Sequence, residues 1–252
     1  MGIQLYFVDG VLVDNNRIYS GPTGTTHGAI YIEAAGGYKS KNITITNNWV
    51  HGWNAGVEMY TEDIDGDITI TNNILYTAEE AILGNNGTMD DGSISIYNNT
   101  LMGTSGSTFT YSVGLYIDEL PVGTELYIKN NIMSLDATDA AAEYIKIPKV
   151  NNGTIEIDYN QYWNSSFATP FEVHEIGKIN LADWNTAGYD GNSPNVVHGD
   201  ADYSPLFKNA GGSYALELDF DLQTTSPAID AGIDVAIDFL GTAPDIGKYE
   251  KR

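Results

Sequence analysis

The sequence predicts an all-β fold: a parallel β-helix of three-stranded solenoid coils with an asparagine ladder, completed by an irregular C-terminal capping segment. Three observations predict it. One motif (apolar, x, apolar, x, Asn, Asn, x, apolar) recurs six times, at VLVDNNRI (11–18), ITITNNWV (43–50), ITITNNIL (68–75), ISIYNNTL (94–101), LYIKNNIM (126–133) and, worn, IEIDYNQY (155–162). Each copy alternates apolar and polar residues with the period of a strand, not a helix. The repeats are 25 to 32 residues apart, too short for a four-stranded propeller blade and without the helical period of a leucine-rich repeat.

Within a repeat, the Asn pair separates two short strands, because Asn tolerates the left-handed region and suits a sharp bend. A further strand follows about 20 residues later at Ile30–Ile32, Val57–Met59, Leu115–Ile117 and Ile145–Ile147, with a weaker equivalent at Ala81–Gly84. Three strands per coil stacked in parallel make a β-solenoid. The stacked Asn amides are then expected to hydrogen-bond into a ladder along one corner, as amides do in cross-β stacks. This predicts a β-helix of about six rungs over residues 1–163. Residues 164–252 follow as a long connection and capping segment packed on the helix. Within them, 164–201 is expected either to wall a groove or to cover the open end. Residues 200–252, with Phe207, Leu218, Phe220, Leu222 and Ile229, are preferred for covering the end.

Composition bounds the partners. The 252 residues include 34 acidic and 11 basic side chains, for a net charge of −23. Such a charge argues against nucleic acid or any bare polyanion. No apolar run reaches the roughly 20 residues of a bilayer span, so membrane insertion is not expected. There is no Cys, hence no disulfide framework, thiolate metal site or Cys nucleophile. The 27 glycines fit a turn-rich chain. Neither a Gly-x-Ser-x-Gly elbow nor a phosphate loop is present, and the four His lack zinc-type spacing.

Through these motifs, residues 2–163 resemble the right-handed parallel β-helix repeat proteins of the pectate-lyase-like superfamily. The end of the chain, at DYSPLF (202–207), DFDL (219–222), SPAIDAG (226–232) and PDIGKYE (244–250), is similar to the C-terminal segment of secreted bacterial β-helix proteins. The resemblance implies an extracellular or cell-surface protein of a bacterium. Because Gly2–Leu5 already matches a strand of a rung, the chain is expected to be cut from a longer precursor that carries the signal peptide, the alternative being a natural short form whose first residues cap themselves. The resemblance also implies a polysaccharide or oligosaccharide partner, bound by a monomer across the sheet built from the strand that follows the long turn. That strand is the one that follows the two strands of the Asn motif, as at Ile30–Ile32, and its sheet is called here the binding sheet.

Alternation assigns the outward residues of that sheet to two columns: Gln4, Tyr31, Glu58, Leu83, Tyr116, Lys146, and beside it Tyr6, Glu33, Tyr60, Asn85, Asp118, Pro148. Aromatic rings offer flat apolar surface to a pyranose, while carboxylates, amides and hydroxyls address its hydroxyls. Tyr31, Tyr60, Tyr116, Gln4 and His27, which precedes the first complete binding strand, are therefore expected to contact substrate. Solvation of an ordinary sheet face explains the same residues singly.

Glu33 and Glu58 are the sharpest catalytic pair. Adjacent rungs and a two-residue offset put their Cα atoms about 8 Å apart, a spacing compatible with inverting or retaining glycoside hydrolysis according to rotamer. Asp118 lies three rungs from Glu33, about 14 Å, and instead joins Tyr116 and Lys146. That trio suits a competing mechanism, in which a polysaccharide lyase uses Lys146 as base. Only two arginines, Arg17 and Arg252, are available to grip a uronate. The acidic turns with Asp63, Asp65 and Asp67, and one coil later Asp90 and Asp91, offer the oxygen ligands that Ca²⁺ takes, while hydrolysis itself requires no cofactor. The expected function is glycoside hydrolysis of a polysaccharide. The alternatives are a non-catalytic glycan-binding or adhesion fragment and the lyase.

Overall fold

The computed structural model describes residues 2–20, 28–34, 37–60, 64–85, 92–103, 113–120, 122–135, 142–163, 168–193, 205–209 and 214–248. They form a parallel β-solenoid of about five turns. Sheet I is six strands of the repeat motif's first half: β2 (Asp9–Asp14), β5 (Lys41–Thr46), β7 (Ile68–Thr71), β9 (Ser93–Tyr97), β12 (Glu125–Lys129) and β15 (Thr154–Asp158). Sheet II follows the Asn pair. It holds β3 (Arg17–Tyr19), the first parts of β6 (Trp49–Tyr60) and β8 (Ile74–Asn85), then β10 (Thr100–Gly103), β13 (Ile132–Ser134) and β16 (Gln161–Trp163). The binding sheet holds β1 (Ile3–Tyr6), β4 (Ile30–Glu33), the second parts of β6 and β8, β11 (Val113–Ile117), β14 (Glu143–Ile147) and β17 (Phe171–Val173).

The alternation in the sequence sets the core. Ile43, Ile68, Ile94 and Leu126 stack in register, as do Ile45, Ile70, Ile96 and Ile128, and all are buried. Each such side chain contributes roughly 1.5–3 kcal/mol of hydrophobic stabilisation.

The two asparagines of each pair do different work. The first sits in the left-handed region, with φ of 53–58° at Asn15, Asn47, Asn72, Asn98 and Asn130, and Tyr159 takes that place in the worn copy at φ 58°. The second forms the ladder. Its Nδ2 donates to the next Oδ1 at 2.9–3.0 Å from Asn16 through Asn48, Asn73, Asn99 and Asn131 to Asn160. Each receiving Oδ1 also accepts from the preceding backbone N–H, as Asn73 Oδ1 does from Asn48 at 2.9 Å. These buried amides are thereby satisfied, which is the condition for burying them at all.

Of the two roles expected for 164–201 the structure shows the covering one, while the segment preferred for that role lies elsewhere. Residues 168–193 close the open end. The antiparallel strand β18 (Gly177–Ile179) turns back on β17. Helix α1 (Leu181–Thr186), capped by Asn180 accepting from Asp183 N, then lays buried Trp184 on Phe171, with ring centroids 4.5 Å apart. Residues 205–209 and 214–248 lie along the flank instead of over the end. Phe207, Phe220, Leu222 and Ile246 cover Trp49, Ile74 and Ile132, the outward residues of sheet II, whereas Leu218 is exposed. The reason is the apolar outer face of sheet II, which needs its own cover. Two left-handed asparagines dock this segment: Asn130 Nδ2 donates to Ile233 O at 2.7 Å, and Asn98 Nδ2 to Asp245 O at 3.3 Å. Gly247 (φ 94°) passes so close that a Cβ there would stand 2.6 Å from Ile132 Cδ1.

Candidate functional site

The binding sheet presents the first outward column as the alternation predicts. Strand register aligns Gln4 with Tyr31, Tyr31 with Glu58, Glu58 with Leu83, Leu83 with Tyr116 and Tyr116 with Lys146, and β17 extends the column to Glu172. In the second column Tyr6 aligns with Glu33 and Tyr60 with Asn85.

Near the first rungs, Gln4 Nε2 donates to Glu33 Oε2 at 3.2 Å. Tyr31 is buried and meets Tyr60 edge to face, with centroids 5.6 Å apart. Burial above all, then Tyr60 and the carboxylates of Glu33 and Glu58, raise its hydroxyl pKa and keep it protonated. Glu33 and Glu58 thus flank Tyr31 at the expected offset. The Glu58 carboxylate, however, reaches back to the bend, where Gly28 N–H donates to its Oε2 at 2.6 Å. Glycine is required there, since a Cβ at position 28 would stand 2.7 Å from Glu58 Cβ. Glu58 therefore leans away from Glu33.

A further acid is one that period-two counting hides. At the bend from sheet II into the binding sheet, Ala81 and Ile82 both enter the core, as do Tyr144 and Ile145. Two consecutive inward residues reset the alternation and turn the preceding glutamates, Glu80 and Glu143, away from the core. The register Ala55, Glu80, Val113, Glu143 makes a third column. Glu80 is 6% exposed. Burial first, then the charge of Glu79, push its carboxyl up to about 7, with Glu58 adding to the rise and Lys146 opposing it. Burial alone pushes Glu79 up to about 7 as well. The available signal was the acid pair Glu79–Glu80 between alanines, immediately before a weak strand.

At the capped end, Tyr116 OH donates to Asp118 Oδ1 at 2.8 Å, and Lys146 Nζ lies 5.4 Å from the Tyr116 ring centroid. Asp118, Tyr116 and Lys146 are thus brought together. Lys146 also pairs with Glu143 at 3.5 Å and Glu172 at 3.8 Å. Lys178, reaching over from β18, pairs with buried Glu143 at 2.6 Å, and this hydrogen bond raises the pKa of Lys178. A separate cavity of about 270 Å³ near Tyr189 is lined by none of Glu58, Glu80 or Lys146.

His27, Asp63, Asp90 and Asp91 lie outside the described residues. Of the acidic turns, Asp67 Oδ1 accepts from Ser93 N at 3.0 Å and Ser93 Oγ at 2.8 Å, so it caps β9, and Asp65 N–H donates to Ser40 O. Among the described residues, no group of three or more His, Asp or Glu stands together to hold a metal.

No family model, curated protein or solved structure matches this chain.

Proposed function

We propose that this chain is a carbohydrate-active protein of pectate-lyase-like architecture, which hydrolyses glycosidic bonds of a polysaccharide laid across the binding sheet. One observation carries the reading: Glu80, a buried acid raised to about 7, stands one strand from Glu58, whose carboxyl group accepts from the Gly28 N–H. A carboxyl group that keeps its proton near neutral pH, with a second carboxyl group one strand away, suits a division into acid and base. Glu80 then donates its proton to the leaving glycosidic oxygen. Glu58 acts on the anomeric side as base or nucleophile. Tyr60 and Tyr116 offer rings and hydroxyls to the sugar, buried Tyr31 backs Tyr60 instead of meeting substrate, Gln4 and Glu33 bind the sugar's hydroxyls, and Asp118 orients Tyr116.

The placement of Lys146 over Tyr116, beside Asp118, favours a second reading as a polysaccharide lyase. Bacterial origin, an extracellular or cell-surface location, action as a monomer and Ca²⁺ in the acidic turns belong to the same proposal and rest on the resemblance and composition alone.

The test is reducing-end release and 235 nm absorbance over a polysaccharide panel, with and without EDTA. Reducing ends without absorbance, lost in Glu58→Gln and Glu80→Gln, support the hydrolase. Absorbance lost in Lys146→Ala supports the lyase, and retention without either product supports a non-catalytic binder.

A further inference from the structure

At the first rungs, beyond Glu33, three aromatic residues gather on the surface. Tyr6 and Phe7 have ring centroids 4.0 Å apart, and Phe7 meets the Tyr38 ring at 5.4 Å. They are 45%, 43% and 69% exposed. Among the described residues five large aromatics are exposed (these three, Tyr19 and Phe239), so most of that surface is concentrated in one patch. Packing leaves 43–69% of each of these side chains open to water, apolar area whose burial would stabilise the fold.

The backbone makes the same point. Phe7 has φ 55°, a left-handed conformation that is unfavourable for a bulky residue by roughly 1–2 kcal/mol. Glycine or asparagine would take that turn more readily, and both do so at comparable turns, at Gly10 and Asn42. Strain kept at an exposed site points to use of the side chain. The patch is also continuous with the groove. Tyr6 is in register with Glu33, which Gln4 binds, and Tyr6 stands two strands from Glu58, about 10 Å along the solenoid axis.

We propose that Tyr6, Phe7 and Tyr38 form an aromatic platform that takes the C–H face of a sugar residue in the chain lying along the groove. The inference rests on the polysaccharide reading above and deepens it: the preferred ligand is a polymer long enough to reach from the Glu58–Glu80 region to this platform. Rings present a flat apolar face with a quadrupole that suits polarised C–H groups, while the Gln4–Glu33 pair at the platform's edge addresses hydroxyls.

The experiment is affinity electrophoresis of the full chain in gels containing galactomannan, glucomannan, xylan, mixed-linkage β-glucan, pectin or alginate, for wild type, Tyr38→Ala, Phe7→Asn and Glu58→Gln. Melting temperatures and reducing-end release are read alongside. Tyr38→Ala and Phe7→Asn should each weaken retention about fivefold, with the melting temperature of Phe7→Asn unchanged or raised because the strain is relieved. Retention unchanged in both variants overturns the platform and leaves the hydrolase reading to Glu58→Gln. Weakened retention with no hydrolysis keeps the platform and removes the hydrolase. Failure of wild type to be retained in any of these gels overturns both.

Discussion

Asn160 Nδ2 donates to Asp190 Oδ1 at 3.0 Å, so the amide ladder ends on a carboxylate. The change of residue type has a reason. An asparagine offers one acceptor oxygen, but the last rung presents donors on two sides. Oδ1 takes Asn160 and Ser193 Oγ, while Oδ2 takes Tyr162 OH at 2.5 Å and Trp184 Nε1 at 2.8 Å. Indole N–H can only donate. Asp190→Asn sets an amide NH₂ against one of these donors and should cost about 2 kcal/mol, measured by urea denaturation. The exposed cap change Asp183→Asn should cost much less.

The ladder and bend positions should respond differently to mutation. Asn73 Nδ2 donates to Ile45 O, Thr71 O and Asn99 Oδ1, and its Oδ1 accepts from Asn48. Asn73→Ala strands these partners in the interior and should cost about 3 kcal/mol or more. Asn72→Gly, which keeps a residue suited to φ 55°, should cost under about 1 kcal/mol. Equal losses in the two variants would contradict the division of labour.

Tyr159 holds the left-handed bend of the worn repeat at φ 58°. Tyr159→Asn restores the pair seen in the other copies and should stabilise the protein by about 1 kcal/mol, read as a higher urea midpoint with an unchanged slope.

The coil was legible because the two periodicities that define it are local. Alternation sorts Ile43, Ile45, Ile68 and Ile70 into one core, and the Asn pair marks the corner. It failed at the bend, where Ala81 and Ile82 both turn inward, since a break in parity depends on how the corner is packed. Glu80 was therefore hidden while Glu58, within a regular strand, was not. The flank segment was misplaced for a related reason. Trp49 and Ile132 look like ordinary strand residues, and only the assembled sheet II shows an apolar outer face that Phe207 and Phe220 must cover.

Glu80 should also shape stability against pH. Its carboxyl rises from an ordinary 4.5 to about 7, chiefly by burial. The folded protein then holds this proton more tightly than the unfolded chain. Stability is lost as pH rises from about 4.5 through 7. Glu80→Gln removes the titration. The variant should match wild type near pH 4 and exceed it at pH 8 by on the order of 2–3 kcal/mol, as measured by thermal melts across that range.

The central claim is the assignment of acid and base to Glu80 and Glu58, and the pH dependence of reducing-end release tests it most directly. If Glu80 supplies the proton, the rate falls on the alkaline side with a midpoint near 7, Glu80→Gln abolishes that limb together with most of the activity, and Glu58→Gln is inactive at every pH. Full activity in Glu80→Gln, with the alkaline limb intact, would contradict the account.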